Sequence, residues 1–203
     1  MPTTIPEDPL MIRNAIEPDI PAMLAIYAPY VENTTYTFEY TVPSEGEFLA
    51  RFLDITRQFP WLVWEENGTV LGYAYGSLPW TRAAYAWAGE VSIYLAPEAR
   101  GRGIGRKLYT ALEQLMARQG YRVLYAIITE ENRGSLAFHQ ALGYREAGVF
   151  SHCGLKFGRW LSVVWMEKHM NSVGIPSEPP TPYRAFVESD RNIADILDKM
   201  SLS

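Results

Sequence analysis

The spacing of apolar residues divides this chain into short strands and helices. Leu10 to Asn14 reads as a first strand, and Glu17-Pro18-Asp19 opens a helix in which Ile20, Met23, Leu24 and Tyr27 keep helical spacing. A polar, aromatic loop is expected over Tyr30 to Tyr40, and a second helix carrying Phe48, Phe52 and Ile55 after Pro43. The strands Trp61–Glu65 and Val70–Gly76 flank Asn67-Gly68, the strongest short-range hairpin signal. A loop loaded with Trp80, Arg82, Tyr85 and Trp87 leads into a strand that ends at Leu95, stopped by Pro97. A helix opens at about Gly103, with Ile104, Leu108, Leu112 and Leu115 on one side, and ends at Gly120. Arg122 to Ile128 is apolar almost throughout, as a strand buried on both faces would be. Asn132 suits the cap of a short helix that Gly143 terminates, and Tyr144–Val149 and Trp160–Met166 read as two closing strands.

The order β-α-α-β-β-β-α-β-α-β-β predicts an α+β fold with one mixed sheet. Residues 10–169 form the expected domain, and Met1 to Pro9 are expected to fray. From residue 170 to 203 the composition changes: Pro176, Pro179, Pro180 and Pro182 make a linker, and Asp190 to Met200 suits a short amphipathic helix through Ile193, Ile196 and Leu197. On this reading the tail is a packing arm or a disordered extension, and a chain ended after His169 should stay folded and active.

Composition narrows the function classes. With 203 residues, 48% of them hydrophobic, the chain can bury one sizeable core. A net charge of -5 argues against a general nucleic-acid binder. The single cysteine, Cys153, rules out an internal disulfide framework and fits a reducing compartment. No apolar run approaches the length of a membrane span, and the N-terminus lacks a charged-then-apolar signal pattern, so the expected location is the cytoplasm.

Basic residues concentrate between strand and helix, at Arg100, Arg102, Arg106 and Lys107, interleaved with Gly101, Gly103 and Gly105. The first N–H groups of a helix lack intrahelical partners and carry partial positive charge; glycines let an anion approach them closely. This is a seat for a phosphate. It is not the P-loop of nucleotide triphosphatases, because Leu108 follows Lys107, nor the dinucleotide fingerprint, because Arg100 stands where a first glycine belongs. The pattern is Arg-x-x-Gly-x-Gly.

That pattern resembles the pyrophosphate-binding motif of the GNAT superfamily of N-acetyltransferases, and from about Met11 to Lys168 the chain resembles its phosphinothricin and methionine sulfoximine N-acetyltransferase family. The residues carrying the likeness are Tyr30 to Thr35 with Phe38 and Glu39; Pro79-Trp80; Arg82 with Tyr85-Ala86-Trp87; Glu90; the glycine turn; Asn132, Ser135 and Phe138 to Tyr144; and Gly154 to Trp160. The resemblance implies the GNAT fold and acetyl transfer, without an acyl-enzyme, from acetyl-CoA to the α-amine of a small amino-acid-like acceptor such as phosphinothricin, methionine sulfoximine or methionine sulfone. It implies a homodimer, and no metal ligand.

It further implies that backbone at Ile93, Tyr94 and Leu95 pairs with the pantetheine arm, that Arg100, Gly101, Arg102, Gly103, Ile104, Gly105 and Arg106 take the diphosphate, and that Asn132 and Ser135 contact the cofactor. Glu90 matches the family's general base. His139 either protonates the departing thiolate or only hydrogen-bonds the cofactor. Phe38, Arg82, Tyr85 and Tyr94 are the acceptor-side residues by position. Three departures concern the acceptor: a loop one residue shorter between Trp80 and Tyr85, Glu39 where the phosphinothricin-resistance enzymes carry arginine, and Ser162 where aspartate is usual. Two other readings compete with this one. A non-catalytic acyl-CoA-binding module would bind without turnover, and a protein N-terminal acetyltransferase would need an open groove rather than a loop-walled pocket.

Overall fold

The computed structural model describes residues 11–170, 174–189 and 193–202. Leu10 and the expected fraying of residues 1–9 lie outside them. Seven strands form one sheet in the order β1-β2-β3-β4-β5-β7-β6, where β1 is Met11–Asn14, β2 Trp61–Glu66, β3 Thr69–Ser77, β4 Ala88–Leu95, β5 Val123–Thr129, β6 Arg145–Lys156 and β7 Arg159–His169. All neighbours are antiparallel except β4 and β5, which run parallel. The sheet is therefore mixed, as the element order predicts.

Helices α1 (Ile20–Asn33) and α2 (Glu45–Ile55) cover one face through Met23, Tyr27, Val31, Phe48 and Phe52, which pack on Trp61, Val63 and Tyr73. Helix α3 (Ile104–Gln119) covers the other, setting Leu108, Leu112, Leu115 and Met116 against Leu62, Ala74, Val91 and Leu124. Alternation along each strand feeds both layers. At the Asn67-Gly68 turn both residues take positive φ, 51° and 73°, the geometry a two-residue hairpin demands.

Three elements differ from the reading of the sequence. Helix α1 continues to Asn33, so Tyr30 lies on the helix and not in a loop; burial of Tyr27 and Val31 holds the last turn despite Pro29 inside it. Strands β6 and β7 extend to Lys156 and from Arg159, closed by the two-residue turn Phe157-Gly158. Their outer halves escape a reading by pattern because β6 is an edge strand exposed along most of its length, without hydrophobic alternation.

The third is the tail. A further helix, α5 (Tyr183–Ser189), precedes α6 (Ile193–Leu202), and Tyr183, Phe186, Ile193 and Leu197 belong to the same core as α3. The Ile12 amide donates to Ser201 Oγ at 2.7 Å, and Tyr183 Oη donates to Asn14 Oδ1 at 2.7 Å. The tail thus packs as an arm on the β1 side of the sheet, one of the two forms the sequence allows it. Phe186→Ala should cost about 3 kcal/mol or more, the usual penalty for emptying a buried phenylalanine site; a urea midpoint unchanged from the parent protein would mean that α5 does not hold the core.

Candidate active site

The parallel pairing of β4 and β5 covers only Ala88↔Val123, Gly89↔Leu124 and Glu90↔Tyr125. Beyond that point the strands part, and β4 runs on to Leu95 unpaired on its β5 side. The fork leaves a cleft lined by Val91 to Tyr94 on one wall and Ala126 to Ile128, Asn132, Ser135 and His139 on the other, with Tyr30 and Tyr36 above. It continues into a larger hollow of about 510 Å³ bounded by Leu95, Arg100, Gly101, Gly105, Gly134 and Phe138. Free backbone groups along β4 therefore face a continuous groove that ends at the N-terminus of α3.

The glycine turn is built as its sequence suggests. Gly103 is the N-cap of α3 at φ 80°, and Gly101 has φ 72°. A Cβ added at either would meet no protein atom within 4 Å, so these positions open on space that a ligand can enter. At Gly105 a Cβ would sit 3.2 Å from Leu95 and 3.6 Å from Phe138; its absence lets the helix start press against β4 and α4 (Arg133–Ala141). Ile104 buries its side chain in the core, which leaves only its backbone to the turn.

The arginines divide. Arg100 donates to Tyr30 Oη at 3.0 Å and lies 5.4 Å over that ring, while Tyr30 Oη donates to the Leu95 carbonyl at 2.7 Å. Tyr30 therefore ties α1 to the end of β4 and holds Arg100 at the hollow. Arg102 is instead paired with Glu66 at 2.7 Å, and Arg106 is exposed on α3. Tyr30 is not among the cofactor or acceptor residues that the sequence points to, because reading it as loop hides that its hydroxyl reaches 65 residues along the chain.

Glu90 stands at the fork, the last β4 residue paired with β5. Burial pushes its carboxyl up to about 7. A group poised there can accept a proton at neutral pH. Asn132 caps α4, its Oδ1 accepting from the Ser135 amide at 3.1 Å, and both residues line the cleft.

His139 is 3% exposed, so it is no surface histidine. Its Nδ1 lies 2.7 Å from the Ser135 carbonyl, which can only accept, so Nδ1 carries the proton. Nε2, 2.6 Å from Tyr109 Oη, then accepts from that hydroxyl. Burial lowers its pKa to about 4, which keeps the ring neutral near pH 7. Both ring nitrogens are thus engaged by groups of the protein itself.

On the acceptor side, Tyr94 packs edge-on against Tyr27 and Tyr30, with ring centroids 4.8 and 5.2 Å away, and lines the cleft. Phe38 sits against Gly154 of β6. The Tyr85 ring lies tilted against Trp80 at 4.8 Å, and Trp80 lies parallel to Trp165 at 5.3 Å; Arg82 and Tyr85 are exposed on that loop, and neither they nor Phe38 are among the residues lining the cleft. Two of the departures have local partners. Glu39 pairs with Arg51 of α2, and Ser162 Oγ accepts from the His152 amide at 3.2 Å.

Comparison with known proteins bears on this geometry. Residues 12–165 match the family model described as Acetyltransferase (GNAT) domain. The chain is 38% identical over 163 residues to a phosphinothricin N-acetyltransferase of Alcaligenes faecalis, covering 79% of this chain and 83% of that protein. It is 37% identical over 165 residues to the L-methionine sulfoximine/L-methionine sulfone acetyltransferase of Pseudomonas aeruginosa, covering 79% and 94%. Among solved structures, a GNAT superfamily phosphinothricin acetyltransferase from Sinorhizobium meliloti in complex with AcCoA superposes with a TM-score of 0.81 at 37% identity, covering 87% of this chain and 97% of that one. A forked parallel pair, a glycine turn at a helix start and these likenesses agree: the chain belongs to the GNAT acetyltransferases and is an N-acetyltransferase that uses acetyl-CoA as its acetyl donor.

Proposed function

We propose that the protein moves the acetyl group of acetyl-CoA directly to the α-amine of a small amino-acid-like acceptor, of the class that includes phosphinothricin and methionine sulfoximine or sulfone. The observation that carries the reading is the position of Glu90, whose carboxyl, raised to about 7 by burial, stands where β4 and β5 part. The acceptor class is drawn from the named activities of the relatives and from the aromatic wall that Tyr30, Tyr36 and Tyr94 give the cleft.

The donor supplies an acetyl thioester. The unpaired edge of β4 from Val91 to Leu95 is suited to take its pantetheine amides as an added strand, and the amides at the start of α3, with Arg100 beside them, to take its diphosphate. Glu90 accepts the proton of the acceptor's ammonium, directly or through one water. The amine nitrogen then bonds to the acyl carbon as the carbon–sulfur bond breaks, and the second proton that the nitrogen sheds in becoming an amide goes to the departing thiolate, which leaves as the thiol. His139, neutral and engaged at both nitrogens, shapes that wall of the cleft with Asn132 and Ser135. Cys153 lies exposed on β6, outside the residues lining the cleft, consistent with transfer without an acyl-enzyme.

We also assign the exposed apolar residues of the β6–β7 edge, Val149, Phe150, Leu155, Phe157 and Trp160, to contact with a second copy of the chain. A reaction that consumes acetyl-CoA belongs in the cytoplasm, where that donor is supplied. The test is a steady-state screen of methionine sulfoximine, methionine sulfone, phosphinothricin and N-terminal peptides, with mass spectrometry locating the acetyl group. Acetylation of the free amino acids on the α-nitrogen is expected; turnover confined to peptides would overturn the acceptor reading.

A further inference from the structure

The loop that carries Tyr36 and Phe38 is fastened to an element far away in sequence. Between Phe150 and Gly154 the register of β6 against β7 slips, so that Phe150 faces Val163 while Gly154 faces Leu161, with His152 at φ 52° within the irregularity. Such a bulge bends its strand and re-aims the residues beyond it. Those residues are Gly154-Leu155-Lys156 and the turn Phe157-Gly158, where Phe157 takes φ 50°, rare for a bulky residue.

This bent end meets residues 31–40 at four places. Lys156 is 1% exposed, and its Nζ donates to the Val31 and Thr37 carbonyls, each at 2.8 Å, while lying 5.0 Å over the Phe157 ring. The Phe38 ring presses on Gly154 so closely that a Cβ there would fall 2.2 Å from it. Tyr40 Oη donates to the Leu155 carbonyl. Thr35 Oγ1 donates to Glu131 at 3.1 Å, and Arg159, just beyond the turn, pairs with the same carboxylate at 2.9 Å. On its other side the loop is tied to α1 by Thr37 and Tyr27, whose hydroxyls lie 2.8 Å apart. The loop thus hangs between α1 and the hairpin end, and its Tyr36 walls the cleft.

We propose that Lys156 and Gly154 are positioning residues for acceptor recognition: the bent end of the β6–β7 hairpin is the seat that sets the 34–40 loop, and hence Phe38, against the acceptor. The inference rests on the proposed acceptor class. A buried ammonium satisfying two carbonyls costs a great deal to remove, because both acceptors are then left without partners. A glycine whose missing Cβ is filled by an aromatic ring fixes that ring in place. Neither residue is among those lining the donor's groove, which the loop reaches only through Tyr36, so their effect should fall mainly on the acceptor.

Lys156→Met keeps the stem and removes the donors; Gly154→Ala forces the Phe38 ring out. Both variants would be followed by hydrogen exchange of the amides of residues 34–40, by acetyl-CoA affinity, and by KM and kcat for the best acceptor from the screen. Faster exchange confined to the loop is expected, with acceptor KM raised about tenfold or more, the order of rate loss that misplaced contacts bring. Donor affinity and kcat should stay within about twofold, and Lys156→Arg should recover part of the loss. Unchanged exchange in the loop would overturn the seat. Faster exchange with unchanged acceptor KM would overturn its role in recognition and show that Phe38 does not face the acceptor. If Lys156→Met fails to fold, Tyr40→Phe, which removes only the hydroxyl at Leu155, and Gly154→Ala carry the same test.

Discussion

Glu90→Gln is expected to lower kcat by about 10²–10⁴-fold, the usual contribution of a general base, with acetyl-CoA affinity nearly intact. The change keeps the side chain's size and removes the oxygen that takes the proton. The pH dependence gives the effect its signature. Burial holds the carboxyl at about 7, so the base form grows as pH rises through that value, and the acidic limb of kcat/KM should bend there. The glutamine variant should lose that limb. Stability should move the opposite way. An ordinary glutamate gives up its proton near 4.5, whereas in the fold Glu90 keeps it to about 7, so the wild-type protein loses stability as pH climbs from 4.5 to 7 and levels off above. The variant carries no such penalty, and its advantage in unfolding free energy should open across that window, to a size on the order of 3 kcal/mol. A variant within threefold of wild type, with the same profile, would make Glu90 a strand residue and send the proton elsewhere.

The second large effect is expected at the glycine turn. Gly103→Val puts a branched side chain at φ 80°, in the space that the helix amides face. Each lost hydrogen bond to a charged group is worth about 1.5–3 kcal/mol, so acetyl-CoA should bind on the order of 10²-fold more weakly. Backbone strain alone would also destabilise the protein, which calls for a control. Gly68, in the β2–β3 turn at φ 73° with equally open space around it, supplies one: Gly68→Val should cost comparable stability and leave the affinity alone. Calorimetric titration of both variants separates the two causes. Equal affinity for wild type and Gly103→Val would take this turn out of the donor site.

The sequence made the donor half of this site readable and the acceptor half much less so. A strand, a glycine-arginine turn and a helix start are contiguous, and each has a local physical signature: β-branched residues to Leu95, φ that only glycine takes readily, and helical spacing from Ile104. The fork at Glu90 has no such signature, because it arises where two strands separated by α3 stop pairing. Nor does the 34–40 loop, which Lys156 fastens from more than 100 residues away, at the end of an edge strand without alternation. The tail leaves two readings open, a packing arm or a disordered extension, for a different reason. Four prolines within a short span read as a linker, yet Tyr183, Phe186, Ile193 and Leu197 return to cover α3 and β1, and burial that joins distant parts of a chain leaves no periodic trace in a segment so short. Tyr30 shows the same limit at one residue: its identity is plain, but its bonds to Leu95 and Arg100 exist only once α1 has docked.

The proton acceptor is central to the proposed reaction, and its titration can be read without any acceptor amine in hand. Carbon-13 labelled glutamate, with Glu90→Gln to assign the signal, allows the Glu90 carboxyl to be titrated directly by NMR. A midpoint near 7, coincident with the acidic limb of kcat/KM, is the predicted result; a midpoint near 4.5, with the limb unmoved by the glutamine substitution, would contradict it.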